Sequence, residues 1–178
     1  MSDLGLESGR VHLVPYSASW PALCDAEIVR LTAALAGSGI EVAFEHTGST
    51  AVPGLAAKPI IDILAGLDAD DDRPVVIAAF QSAGYVHRGE QGIAGRDFLR
   101  RGDPRQYHLH LTRLDSDFWR EHQLFRDWLR AHGDVAAEYA ALKRALAGQF
   151  PTDRHAYIDG KSAFVERVVR AAQAPRER

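Results

Sequence analysis

Apolar and polar positions change period several times along this 178-residue chain, and each change predicts an element. Residues 11–14 are a short apolar run, a strand candidate. Trp20, Cys24, Ile28, Leu31 and Leu35 then recur at helical spacing along one stripe. Ser17 or Ser19 can cap that helix, Pro21 is tolerated in its first turn, and Gly37 and Gly39 end it. Ile40, Val42, Phe44 and His46 alternate with Glu41, Ala43 and Glu45, which is strand periodicity. Residues 58–64 read KPIIDIL, nearly continuous in apolar character, as expected for a central strand covered on both faces.

Beyond an acidic loop at residues 70–72, the pattern predicts a helix over 73–83 closed by Gly84. Residues 85–90 and 96–101 read as a hairpin around Gly92 and Gly95, and 106–113 as another strand. Helices follow over 116–132, 134–147 and 154–172, separated by Gly133 and Gly148. A mixed sheet followed by helices is an α+β layout. It divides into a core over residues 1–114 and a helical segment over 115–174 packed on it as one structural unit. The first ten residues and residues 175–178 read as loose ends.

Composition narrows the class. A chain with 46% hydrophobic and 25% charged residues is neither disordered nor fibrous. Lys and Arg number 21 against 24 Asp and Glu, a net charge of −3, which argues against a nucleic-acid polymer or a polybasic membrane contact. A local phosphate site needs only local charge and stays open. Cys24 is alone, so there is no disulfide framework and no cysteine metal cluster. No apolar run approaches ~18 residues and the N-terminus lacks a signal-peptide core, so a cytoplasmic protein is expected.

The stretch from Glu45 to Leu64, EHTGSTAVPGLAAKPIIDIL, carries the most chemistry. A strand ends in a turn at Gly48 and Ser49, and the next strand carries Asp62. Gly48 lets the backbone bend tightly and approach a ligand. Ser49, Thr50 and the amides around them can cradle phosphate oxygens. An acid inside a buried apolar strand costs several kcal/mol unless it is paired or holds a metal. Asp62 therefore reads as a cation ligand or as one half of a structural pair, Lys58 being the candidate partner. On the later strand, His108 and His110 share a face with Gln106 and Thr112, about 6.6 Å apart. With Asp62 they form a candidate catalytic and metal cluster that favours Zn²⁺, Mn²⁺ or Fe²⁺ over Mg²⁺, or supply a general base.

Lys161 falls with Tyr157, Phe164, Val165 and Val168 on an otherwise apolar stripe, so it must snorkel or meet an anion. Lys58, Lys143 and Lys161 are the candidate phosphate ligands, and Arg126 is a further cation that a cleft can use. His46 reads as an interior histidine. Glu45, on the opposite face, either approaches the site or pairs with a lysine. His12, His87, His122, His132 and His155 show no partner spacing and read as surface or packing residues.

The block HTGSTAVPGLAAKPIIDI resembles the signature of the GrpB family. VPYSASW, YHLHL, FRDWLR, YAALK, and Tyr157 with Lys161, continue the likeness through most of the chain. The resemblance implies the nucleotidyltransferase fold of polymerase-beta-like enzymes, and some relatives are fused to dephospho-coenzyme A kinase. That pattern sets a Gly-Ser turn before an Asp-x-Asp or Asp-x-Glu pair, with a third carboxylate on a later strand. Gly48, Ser49 and Asp62 match, but the second acid is replaced by Leu64. Two-metal transfer needs more carboxylate than Asp62 alone. The expectation is a protein that binds a nucleotide or other phosphorylated small molecule with a divalent metal. It either transfers a nucleotidyl group to a small-molecule or protein acceptor, or binds without turnover. A two-histidine phosphoesterase is disfavoured, because only His110-Leu111-Thr112 fits a His-x-Thr half.

Overall fold

The structure, a computed structural model, describes residues 4–174. Its elements run α1 (Trp20–Ala34), β1 (Ala43–Thr47), β2 (Ile61–Leu67), α2 (Arg73–Ser82), β3 (Val86–His87), β4 (Asp97–Arg101), β5 (Tyr107–Arg113), α3 (Asp117–Ala131), α4 (Gly133–Gln149) and α5 (Arg154–Gln173). The sheet order is β1-β2-β5-β4-β3. Strands β2 and β5 pair in parallel, and every other neighbouring pair is antiparallel. This is the expected α+β layout.

Alternation along the strands sorts the sheet into two unlike faces. Ile61, Ile63, Ala65 and Leu67 of β2, Leu109 and Leu111 of β5, and Leu99 of β4 are buried in one apolar cluster. Trp20, Cys24 and Leu31 of α1 and Val76 and Phe80 of α2 complete it. Removing these side chains from water supplies the main driving force for docking both helices on this face. The opposite face carries Asp62, His108 and His110 and looks toward α3 and α5. Those helices gather a second cluster with α4, built on Leu129, Tyr139, Phe164 and Val168. Ser116 caps α3 by accepting from the Trp119 amide, and Asp153 caps α5 by accepting from the Ala156 amide.

One buried acid sits on the α1 side. Glu27 is 3% exposed and accepts from Tyr85 Oη at 2.8 Å, Arg30 Nη2 at 2.7 Å and Arg101 Nη2 at 2.6 Å. Burial pushes its pKa up, but these hydrogen bonds outweigh burial and hold the carboxyl below its ordinary value.

Several expected boundaries move. The strand expected at 58–64 spans Ile61–Leu67, because Lys58, Pro59 and Ile60 approach the sheet without laddering. Residues 11–14 contribute only an isolated bridge from Val14 to Ala57. The strand expected at 40–46 begins at Ala43. The N-terminal stretch is not loose throughout: Leu4 and Leu6 are buried, and Leu6 bridges Arg105. Residues 1–3 and 175–178 lie outside the described residues. Among the described residues, no helix is long and apolar enough to cross a membrane.

Candidate functional site

The parallel register of β2 and β5 sets Asp62 directly opposite His108, and Leu64 opposite His110. Asp62 Oδ1 meets His108 Nδ1 at 3.1 Å and His110 Nε2 at 3.5 Å. The Asp62 side chain keeps 31% exposure, opening toward the space beneath α5. Burial alone raises its pKa, yet the hydrogen bonds from His108 and His110 hold the carboxyl well below the ordinary range. Burial also lowers the His108 pKa against the pull of Asp62, so this imidazole is neutral at pH 7. With Nδ1 donating to Asp62, its Nε2 carries the lone pair, and that atom is buried without a hydrogen-bond partner among the described residues. His110 presents Nδ1 to Arg96 Nη1 at 3.5 Å.

Gly48 forms the wall beside this carboxylate. Its φ of 71° and ψ of −170° belong to backbone that only glycine adopts without strain. A Cβ there would lie 2.8 Å from Asp62 Oδ2. Ser49, one residue on, accepts from Lys143 Nζ of α4 at 2.9 Å. Lys143 Nζ also donates to the Ala56 carbonyl at 2.5 Å. Thr50 is buried and its Oγ1 meets His46 Nε2 at 3.0 Å, on the far side of the turn. Burial holds His46 down to about 4, consistent with the interior role expected of it.

These residues floor a cleft of about 550 Å³, a size usual for small-molecule sites. The turn at Gly48, strands β2, β4 and β5, the loop before β4, and helices α3, α4 and α5 all contribute to its wall. Its charge runs opposite to that of the whole chain. Lys58, Lys143, Lys161, Arg96 and Arg154 line it, against the carboxylates of Asp62 and Glu121. Among the described residues none of these five cations is in an ion pair. Lys161 Nζ lies 4.6 Å and Lys58 Nζ 5.4 Å from the Tyr157 ring centre, and Lys143 Nζ lies 4.7 Å from that of Tyr139. Tyrosine faces thus replace carboxylates as their neighbours.

The ammonium groups feel this arrangement. Burial, reinforced by Lys161 and Lys58, brings Lys143 down to about 7. Burial and the arginines nearby lower Lys58 to about 8, against the pull of Asp62. Burial and Lys58 lower Lys161 to about 8. Arg154 adds a buried Nε with no hydrogen-bond partner.

One end of the cleft is aromatic. Phe98 and His110 lie with ring centres 5.4 Å apart, and His110 lies 6.2 Å from His122. Phe118 and His122 pack with ring centres 4.0 Å apart and planes tilted by 32°. The Arg96 guanidinium sits 5.3 Å from the Phe98 ring centre and 5.6 Å from that of Phe118.

The predicted residues therefore sort as follows. Asp62, His108, His110, Gly48, Ser49, Thr50, Lys58, Lys143 and Lys161 all border one cleft. Arg126 does not: it is spent on Glu45 at 2.6 Å, Asp127 at 2.7 Å and the His46 carbonyl at 2.9 Å. Glu45 is accordingly paired with an arginine and not with a lysine. His122, expected at the surface or in packing, lines the cleft, its Nδ1 donating to the Phe118 carbonyl at 2.8 Å. Its four-residue spacing from Phe118 was the available signal. Arg96 and Arg154 went unread, because neither sits in a periodic pattern that points inward.

The donor set fits a metal poorly. Both imidazoles are turned onto the same oxygen of Asp62, the second oxygen packs at Gly48, and the other nitrogen of His110 faces a guanidinium. Among the described residues no group of three or more His, Cys, Asp or Glu side chains is placed to hold an ion. Leu64 fills the position of the missing acid and is fully buried.

The GrpB protein family matches residues 10–171. A UPF0157 protein of Pseudomonas aeruginosa is 41% identical over 176 residues, which is 94% of this chain and 70% of that protein. A dephospho-CoA kinase of Mycolicibacterium paratuberculosis is 30% identical over 188 residues, 91% of this chain and 46% of the kinase. The crystal structure of the conserved protein GrpB from Enterococcus faecalis is similar with a TM-score of 0.81 and 32% identity, covering 90% of this chain and 96% of that one.

Proposed function

This chain belongs to the GrpB family, and from that premise we propose that its cleft binds a nucleotide or another phosphorylated small molecule by its phosphates. One observation carries the reading: Lys58, Lys143 and Lys161 line a single cleft, and among the described residues none of them is in an ion pair. Desolvating cations without counter-charges is costly, and a bound polyanion removes that cost. The Ser49 hydroxyl and the amides of its turn take phosphate oxygens beside Lys143. Lys58, Lys161 and Arg154 take the outer oxygens. The tilted rings of Phe98, His110 and His122 offer an aromatic wall against which a base can pack. In this reading Asp62 acts on the two imidazoles and sets their orientation.

Binding without turnover is the second reading, and Leu64 favours it, since the position of a second carboxylate is apolar and sealed. For transfer of a nucleotidyl group to an acceptor, His108 Nε2 carries the lone pair of a base, its Nδ1 being held by Asp62, but it is buried, so an acceptor reaches it only if the cleft opens there.

A thermal-shift panel of nucleotides and coenzyme A precursors tests the proposal; the relative named dephospho-CoA kinase brings the latter into the panel. A ligand at a hundred times its Kd stabilises the native state by about 2.7 kcal/mol, enough to move the midpoint by several degrees. A panel that leaves the midpoint unmoved at millimolar concentration counts against both readings.

A further inference from the structure

We propose that the cleft takes its anion without a divalent cation: the ammonium groups of Lys58, Lys143 and Lys161 do the work of metal ions, and the ligand is an organic di- or triphosphate in its uncomplexed form. The inference rests on the phosphate-binding reading above and deepens it.

Three independent features point this way. The first is the donor set. A cation needs several oxygen or imidazole ligands converging on one point. Here His108 Nδ1 and His110 Nε2 are both hydrogen-bonded to Asp62 Oδ1, His110 Nδ1 faces Arg96, and among the described residues no group of three or more His, Cys, Asp or Glu side chains is placed to hold an ion. The second is Leu64, which is fully buried and adds no charge beside Asp62. The third is the field. A divalent ion at Asp62 would enter a cleft already lined by Lys58, Lys143, Lys161, Arg96 and Arg154, none of which is in an ion pair among the described residues. Coulomb repulsion at partly buried positions is strong enough to oppose entry of further positive charge.

The same field welcomes an anion. Di- and triphosphates carry several negative charges, and chelation by Mg²⁺ cancels part of them before binding. Lysine ammonium groups are compact point charges that meet phosphate oxygens without a metal bridge. Asp62 then has a sign opposite to the one metal catalysis would give it. It repels the ligand slightly while pinning the imidazoles, so removing its charge strengthens phosphate binding.

Isothermal titration of the full chain with ATP and with tripolyphosphate, in EDTA and then in excess Mg²⁺, tests the proposal. Binding in EDTA at least as tight as in Mg²⁺ is expected. Asp62→Asn is expected to hold its affinity or gain up to about tenfold, and Lys161→Met to lose about tenfold. Binding that appears only with Mg²⁺, or that Asp62→Asn abolishes, would overturn the inference and leave the phosphate reading standing. Absence of binding in both buffers would remove the reading and the inference together. If Asp62→Asn does not fold, the comparison of the two buffers on the unaltered chain still decides.

Discussion

Gly48 and Asp62 stand so close that a methyl group at position 48 would lie 2.8 Å from Asp62 Oδ2 and 3.2 Å from its Cβ. The contact is between backbone and a side chain that is itself held by two imidazoles, so neither partner can yield freely. Gly48→Ala would also force a φ of 71° on a residue with a Cβ. A loss of about 2–3 kcal/mol is expected from the strained backbone and the displaced carboxylate. Urea denaturation that gives a lower midpoint with an unchanged slope would agree; an unchanged midpoint would show that the turn relaxes.

Restoring the missing acid is expected to harm the protein. Leu64 is fully buried, between Glu45 on β1 and His110 on β5. Leu64→Asp places a carboxylate there beside Asp62 and Glu45, at a cost of about 3 kcal/mol or more. A Leu64→Asp variant as stable as its parent, measured by calorimetry, would mean that this position is wetter than the packing implies.

Stability should fall as pH drops from about 6.5 to 4. Burial holds His46 and His122 down to about 4. Their unfolded forms take up protons first, so the unfolded state gains on acidification through that window. Asp62 acts in the same direction at lower pH: its depressed pKa is a stabilisation present above the unfolded value and lost as pH falls through the folded one. A series of Tm values from pH 7 to 4.5 checks this, and a flat profile would contradict it.

Phosphate binding should draw protons from solution at pH 8. Lys143 sits at about 7 and Lys58 and Lys161 at about 8, so part of each population is neutral there. A bound polyanion favours the charged forms and raises these values. Titration in buffers of different ionisation enthalpy would read net uptake; net release would be the wrong sign for a lysine-lined site.

What could be read in advance follows strand geometry. The period of two placed His108 and His110 on one face, and the apolar run around Asp62 placed that acid in a central strand. The two strands being direct neighbours, with Asp62 opposite His108, follows from sheet order, which no local pattern encodes. Lys161 was legible because it breaks an apolar helical stripe. Arg96 and Arg154 were not, since one precedes a strand and the other opens a helix, and only tertiary packing turns them inward. The buried Glu27 was hidden within α1 for the same reason: its partners Tyr85 and Arg101 lie 58 and 74 residues away.

The bond from Lys143 to Ser49 crosses 94 residues of chain, and Arg154 and Lys161 lie further on still. A nascent polypeptide holding only the sheet already owns the aspartate, both imidazoles, Ser49, Lys58 and Arg96, yet lacks Lys143, Arg154 and Lys161. On the proposed phosphate reading, full competence arrives late in synthesis, when the final helix docks. On the proposed reading, a prematurely terminated product would carry the centre and hold a polyphosphate only weakly.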